Sequence, residues 1–167
     1  MNAAWTAVLA QSSAGTWVSL DPGGAPRLVE EALRRSMLPS LAGLHVVRRE
    51  IPVGSSRIDL LLAGGLLCEV KSVGAQRDGI ALFPDAPTLR GLRHLAVLAR
   101  RARRGLAAGL VLCAQRGDVR AIAADHEIDP AFSRALRAAR RAGVAVAGLA
   151  CAAHADGMEI LGPVPVL

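Results

Sequence analysis

Aromatic residues are almost missing from this 167-residue chain, which has no Tyr, two Phe and two Trp. A core without large rings must be assembled from Leu, Val and Ala. At 52% hydrophobic residues there is enough of these for one domain with a sizeable core. Cysteine is scarce as well. Cys68, Cys113 and Cys151 are odd in number, far apart and without CxxC spacing, which excludes a disulfide framework and points to buried thiols in a reducing compartment. No apolar run approaches the length of a membrane span. The opening MNAAWTAVLAQSS lacks both the basic region and the apolar length of a signal peptide. A soluble, cytoplasmic protein is expected. His45, His94, His126 and His154 show no zinc spacing, and the chain has no glycine-rich phosphate loop, Ser-His-Asp arrangement or dinucleotide fingerprint. There is no internal repeat and no low-complexity linker.

Lysine is the rarest of the charged residues. Of 20 basic residues 19 are Arg, and the one Lys is Lys71. A GC-rich coding bias accounts for part of that arginine excess. The net charge of +6 nonetheless favours an anionic partner, nucleic acid first. In such a chain a single ammonium is informative, because a compact charge that can point at one oxygen is not replaced by a planar guanidinium fork.

Lys71 closes the stretch around which the chain is organised, SRIDLLLAGGLLCEVK, Ser56 to Lys71. Arg57–Leu62 and Leu66–Ser72 read as two strands joined by Ala63-Gly64-Gly65. A hairpin closing symmetrically about Gly64 sets Asp59 opposite Glu69 and Arg57 opposite Lys71. Asp59, Glu69 and Lys71 then project from one face, and Ile58, Leu60, Cys68 and Val70 from the other. Carboxylates directly opposite each other repel, and a divalent cation between them relieves that cost, so a metal is expected here. The Asp-x9-Glu-x-Lys spacing resembles that of the restriction-endonuclease-like nucleases. In those, two carboxylates hold a hard cation while the lysine orients an attacking water and offsets charge on the scissile phosphate. A surface hairpin with a solvated Glu-Lys pair is the plain alternative.

In chain order, Trp5–Ala10 and Thr16–Leu20 read as strands of a hairpin, and Asp21–Pro26 as a break. A helix is expected over Pro26–Ser36, with Leu28, Val29, Ala32, Leu33 and Met37 inward. Glu31 on that helix is a candidate for a further metal contact; a solvated face is its other role. His45–Val53 reads as the first strand of the main sheet, and Ser72–Ala81 as a connection without a period. Thr88 or Asp85 can cap a helix running to about Arg104. Leu89, Leu92, Leu95, Ala96 and Ala99 would face inward, with Arg90, Arg93, His94 and Arg100–Arg104 outward. Arg90 and Arg93 are the expected phosphate contacts of that helix; Arg100–Arg104 read as solubility and helix-end charges. Strands are expected at Gly109–Gln115, Arg120–Ala124, Val144–Cys151 and Met158–Leu161, with a helix opened by Asp129-Pro130 and ending near Arg141. This order suits one mixed α/β sheet flanked by helices.

SRIDLLL, CEVKSV and ALFPDAPTLRGLRHL, followed in order by VLCAQRGDV, HEIDPAF, AGVAVAGL and DGMEILGPVPV, resemble blocks of the sugar fermentation stimulation protein family from Trp17 onward. The resemblance implies a restriction-endonuclease-like domain, preceded in the family by an OB-like domain, in a DNA-binding protein with a nuclease-like site. It sets Asp59, Glu69 and Lys71 on the nuclease-like motif and Glu31 on the acidic position of an LVxEAL helix. Pro87, Thr88, Arg90, Gly91 and His94 fall on a PDAPTxRGxxHL block, and Gln115 and Arg116 on the QR after the next strand. Two departures stand out. Trp5–Leu20 resembles only the final two strands of the OB-like domain, so residues 1–24 read as its remnant hairpin before a restriction-endonuclease-like domain at 25–167. Pro26 also replaces the usual Asn at the helix start.

The expected function is therefore metal-dependent phosphodiester hydrolysis on DNA. Mg²⁺ or Mn²⁺ would lie between Asp59 and Glu69, with the Val70 carbonyl as third ligand. Lys71 would orient the water, and Arg57, Thr88, Arg90, Arg93, His94, Gln115 and Arg116 would face the nucleic acid. Two alternatives stay open: a non-cleaving DNA-binding regulator of sugar metabolism, and a remnant that needs a partner domain. A homodimer and a separate OB-like partner are open too, and no membrane is expected. Nothing in the residues supports a sugar-acting enzyme, despite the family's name.

Overall fold

Apolar runs without polar interruption, such as GLVLCA and VAVAGLAC, must be buried on both faces, and they form the middle of the molecule. The computed structural model describes residues 7–167. A short ribbon, β1 (Leu9–Gln11) and β2 (Trp17–Ser19), leads to helix α1 (Ala25–Arg34) and to β3 (Val46–Val53), β4 (Ser56–Leu62) and β5 (Leu66–Val73). Next come β6 (Ala75–Arg77), β7 (Ile80–Phe83), α2 (Leu89–Arg103), β8 (Ala108–Ala114), β9 (Ala121–Ala124) and α3 (Pro130–Arg141). The hairpin β10 (Ala145–His154) and β11 (Gly157–Val164) ends the chain.

The main sheet has the order β11-β10-β8-β5-β4-β3. Its middle strands β5, β8 and β10 run parallel, and antiparallel pairs lie on either side. Every residue of β8 is buried, and its side chains alternate between two cores. Leu110 and Leu112 pack with Leu95 and Leu98 of α2 and Phe132 and Leu136 of α3, whereas Val111 and Cys113 pack with Val29, Ala32 and Leu33 of α1. This is the helix-flanked mixed sheet that the element order implied. No described helix is long and apolar enough to cross a membrane.

Several elements differ from the sequence expectation. The hairpin strands at the start are shorter, and of the strand expected at Trp5–Ala10 residues 5–6 lie outside the described residues. The stretch 72–81, read as an aperiodic connection, holds a tight hairpin in which Arg77 pairs with Ile80 across Asp78 and Gly79. Both turn residues have positive φ, 52° and 75°, the geometry for which Asp-Gly is favoured. Strands of three and four residues are too short to show alternation, so this turn passes unnoticed in a periodicity reading. Helix α2 is rotated relative to expectation. Leu89, in its first turn, is 74% exposed, and the buried seam runs Gly91, His94, Leu95, Leu98. His94 therefore faces the sheet rather than solvent.

Candidate functional site

The hairpin of β4 and β5 closes in the register expected, Leu62↔Leu66, Leu61↔Leu67 and Leu60↔Cys68. There the ladder stops. At the next position the Asp59 carboxylate Oδ2 accepts the Val70 N–H at 2.8 Å, so a side chain takes the donor that a further rung would have used. β4 remains paired to β3 beyond this point, and no rung joins Arg57 to Lys71. Arg57 is exposed and lies 3.5 Å from Glu50 instead. Past the split Ile58 packs into the core on the α2 side, while Leu60, Cys68 and Val70 pack toward α1, so the single apolar face expected for those four residues is broken at Asp59.

β5 carries the other half of the site. Glu69 pairs with Leu110 in the parallel ladder and is 1% exposed. Such a carboxylate persists only with strong donors. Oε1 has two: Lys71 Nζ at 2.5 Å and His94 Nδ1, delivered by the buried seam of α2. The Nδ1 that meets a carboxylate carries the proton, so Lys71, 3.3 Å from Nδ1, stands beside it as a second donor. Oε2 has no partner at all. Among the described residues the other buried side-chain atom without one is Ser133 Oγ, a neutral hydroxyl within α3.

Burial works against the charge on Glu69, but the His94 hydrogen bond and the Lys71 charge outweigh it and hold its pKa below the ordinary value. Asp59 goes the other way. Partial burial, then the charge of Glu69, raises its pKa from 3.8 to about 6, against the pull of the Val70 N–H; Glu50 adds to the rise. Opposite shifts in neighbouring carboxylates mark an electrostatic conflict that a cation would resolve.

Asp59, Glu69 and Lys71 line a cleft of about 740 Å³ together with Val70, Glu50 and Arg90. β2 and the break before α1 supply one wall, and Phe83 and Asp85 the other. Among the described residues no three His, Cys, Asp or Glu side chains are gathered as a ready-made metal cluster. Two carboxylates with one orphaned oxygen do fit a hard, oxygen-seeking cation that keeps several waters.

The remaining expected contacts divide sharply. Arg90 is exposed at the cleft, and Arg93 is exposed but outside its lining. Thr88 is the N-cap of α2, its side chain accepting from Gly91 N–H at 3.0 Å, while its own N–H goes to Asp129. Glu31 does not reach the cleft; it pairs with Arg34 and Arg35 on its own helix. Gln115 is 1% exposed and donates to Asp21 O (2.9 Å) and Ser72 Oγ (2.7 Å). Arg116 is 6% exposed, grips both oxygens of Asp118 and donates to Gly74 O, leaving no fork for a phosphate. Glu50 is a cleft residue that sequence reasoning missed, since nothing in HVVRREIPV sets it apart from a strand residue.

Comparison with known proteins bears on this arrangement. Residues 24–157 match the family model for the sugar fermentation stimulation protein RE domain. The sugar fermentation stimulation protein homolog of Chloroflexus aurantiacus is 46% identical over 162 residues, 95% of this chain and 62% of that protein. The homolog of Alkalilimnicola ehrlichii is 44% identical over 98% of this chain and 72% of its own length. This chain thus spans less than two thirds of the Chloroflexus protein. Among solved structures, Pyrococcus furiosus SfsA in complex with Ca²⁺ superimposes with a TM-score of 0.88 at 27% identity, covering 96% of this chain and 71% of that one.

Proposed function

The chain belongs to the sugar fermentation stimulation protein family, and from that premise we propose that it binds DNA and that its cleft is a divalent-metal-dependent phosphodiesterase site. The observation that carries this reading is Glu69 Oε2, a buried carboxylate oxygen left without a partner on the strand beside Asp59. A buried carboxylate oxygen without a donor is unfavourable, and a cation in the cleft would complete it.

Asp59 and Glu69, with the Val70 carbonyl, are the groups that would hold Mg²⁺ or Mn²⁺; that Pyrococcus SfsA is in complex with Ca²⁺ supports a divalent ion for this chain. A cation held there offsets the charge that builds on a scissile phosphate. His94 and Lys71 fix Oε1 of Glu69, so the carboxylate presents Oε2 in one orientation. Lys71 stands at the cleft wall, where it orients the attacking water and neutralises a non-bridging oxygen. Arg90 at the rim, with Arg57 and Arg93 beyond it, neutralises neighbouring backbone phosphates, in keeping with the net charge of +6.

The test is incubation of single- and double-stranded DNA with wild type, Asp59→Ala and Lys71→Ala in Mg²⁺ or Mn²⁺. Wild type should cut, Asp59→Ala should not, and Lys71→Ala should be slower by about 100-fold or more. Cation binding without cleavage in the wild type would favour the second reading, a DNA-binding protein that does not cut. The ammonium of Lys71, held on Glu69 rather than free in the cleft, favours that alternative. Absence of cation binding in a folded sample would end both metal readings.

A further inference from the structure

We propose that Glu50 is the third carboxylate of the centre; this rests on the reading of Asp59 and Glu69 given above. Glu50, Asp59 and Glu69 are not gathered around one point in the metal-free chain, and the exposed Glu50 side chain swings from Arg57 to close the cation's coordination sphere from the β3 side. Glu50 sits at a fault in the sheet. β3 and β4 pair through Arg49↔Leu60 and again through Ile51↔Ile58, and the rung that would join Glu50 to Asp59 is missing. At that rung Glu50 adopts φ 57°, a left-handed conformation that non-glycine residues rarely take within a strand. The two strands roll over there. On one side Leu60 packs toward α1 and Arg49 pairs with Glu30 of α1; on the other Ile51 and Ile58 pack toward α2. Glu50 and Asp59 are left facing the same cleft.

Without a ligand this arrangement is unfavourable twice over. A bulky residue is held at positive φ, and a third negative charge is set beside Asp59 and Glu69. The ion pair of Glu50 with Arg57 is long at 3.5 Å, with side chains 61% and 67% exposed, and contributes little in return. The independent pointer to a ligand is Glu69, which lines the same cleft, is 1% exposed, and has a buried Oε2 without a partner. A cation among the three carboxylates satisfies the orphaned oxygen and removes the repulsion together. Affinity for hard cations rises with the number of carboxylates in the site.

The experiment is calorimetric titration of Ca²⁺ into wild type, Asp59→Asn, Glu50→Gln, Glu50→Gly and Glu30→Gln, with melting curves of each metal-free protein. Glu50→Gln and Glu50→Gly should both bind about 10-fold or more weakly. Glycine suits the observed φ, so Glu50→Gly should also melt higher than wild type, which keeps the test valid if Glu50→Gln folds poorly. Glu30→Gln makes the same charge change outside the cleft and should bind as wild type. If both Glu50 variants bind like wild type while Asp59→Asn does not bind, Glu50 is no ligand and the two-carboxylate centre stands. An equal loss in Glu30→Gln would reduce the effect of Glu50 to general field and overturn the inference. If wild type takes up no Ca²⁺, or Asp59→Asn takes it up unchanged, the underlying reading falls and this one with it.

Discussion

Two buried polar corners lie on this sheet, one at Glu69 with Lys71 and His94, the other at Gln115 and Arg116 just beyond β8. Both contain side chains that the sequence suggests as ligand contacts, and Glu69, His94, Gln115 and Arg116 are all buried, with Lys71 half-buried at the cleft. In the second corner the donors find protein acceptors: Gln115 joins the segment before α1 to Ser72, and Arg116 ties Gly74 to Asp118. In the first, Oε1 of Glu69 is crowded with donors while Oε2 has none. Burial of polar groups alone therefore says nothing about function. What separates a site from a strut is whether the protein satisfies the buried atoms by itself.

The largest expected effect comes from breaking the strut. Arg116→Ala removes the partner of Asp118 and uncovers Gly74 O, and should cost about 3 kcal/mol of folding stability in denaturant melts. Cation affinity, read by calorimetry, should not change; a parallel loss of affinity would show that the corners are not independent. Next is Asp59→Asn. It retains an oxygen for the Val70 N–H but should lower cation affinity by about 100-fold, close to 2.7 kcal/mol.

The stability of the same variant should depend on pH. The pKa of Asp59 in the fold, about 6, lies above its ordinary 3.8, so protonation stabilises the metal-free protein. That contribution is complete below 3.8 and is lost as pH rises through 6. Metal-free Asp59→Asn should accordingly melt above wild type at pH 8, with the gap closing as pH falls from 6 toward 4. A gap independent of pH would mean that Asp59 is not in electrostatic conflict. Excess cation should reverse the order at pH 8, because it stabilises the tighter binder, wild type, more.

His94→Phe keeps volume in the α2 seam but removes a donor from Glu69, and should weaken the cation by about 10-fold. Gln115→Leu is the smallest of the set, at about 1 kcal/mol of stability, with no change in cation binding.

The sequence made the sheet, the three described helices and the carboxylate hairpin legible, because apolar runs and strand alternation are local signals. Symmetric closure about Gly64 was enough to bring Asp59 beside β5. Local signals do not report rotation or long-range satisfaction. The apolar stripe of α2 can be drawn through Leu89 or through Gly91 and Leu98, and packing against β8 and α3 selects the second, which turns His94 inward. The partners of Gln115 and Arg116 include Asp21, Ser72 and Gly74, remote in sequence, so nothing near them reveals that they are spoken for. Glu50 escapes notice for another reason, since a single left-handed residue within a strand leaves no mark on composition or period. The Asp78-Gly79 turn, by contrast, is marked locally by its dipeptide, which needs no periodicity to be seen.

The central claim is that a divalent cation completes Glu69. It is tested most directly by anomalous diffraction from crystals of this chain grown with Mn²⁺. A strong anomalous peak is expected within coordination distance of Glu69 Oε2 and the Asp59 carboxylate, absent from crystals of Asp59→Asn. A clean map at saturating Mn²⁺ with no peak in the cleft, or a peak only elsewhere on the surface, would contradict it.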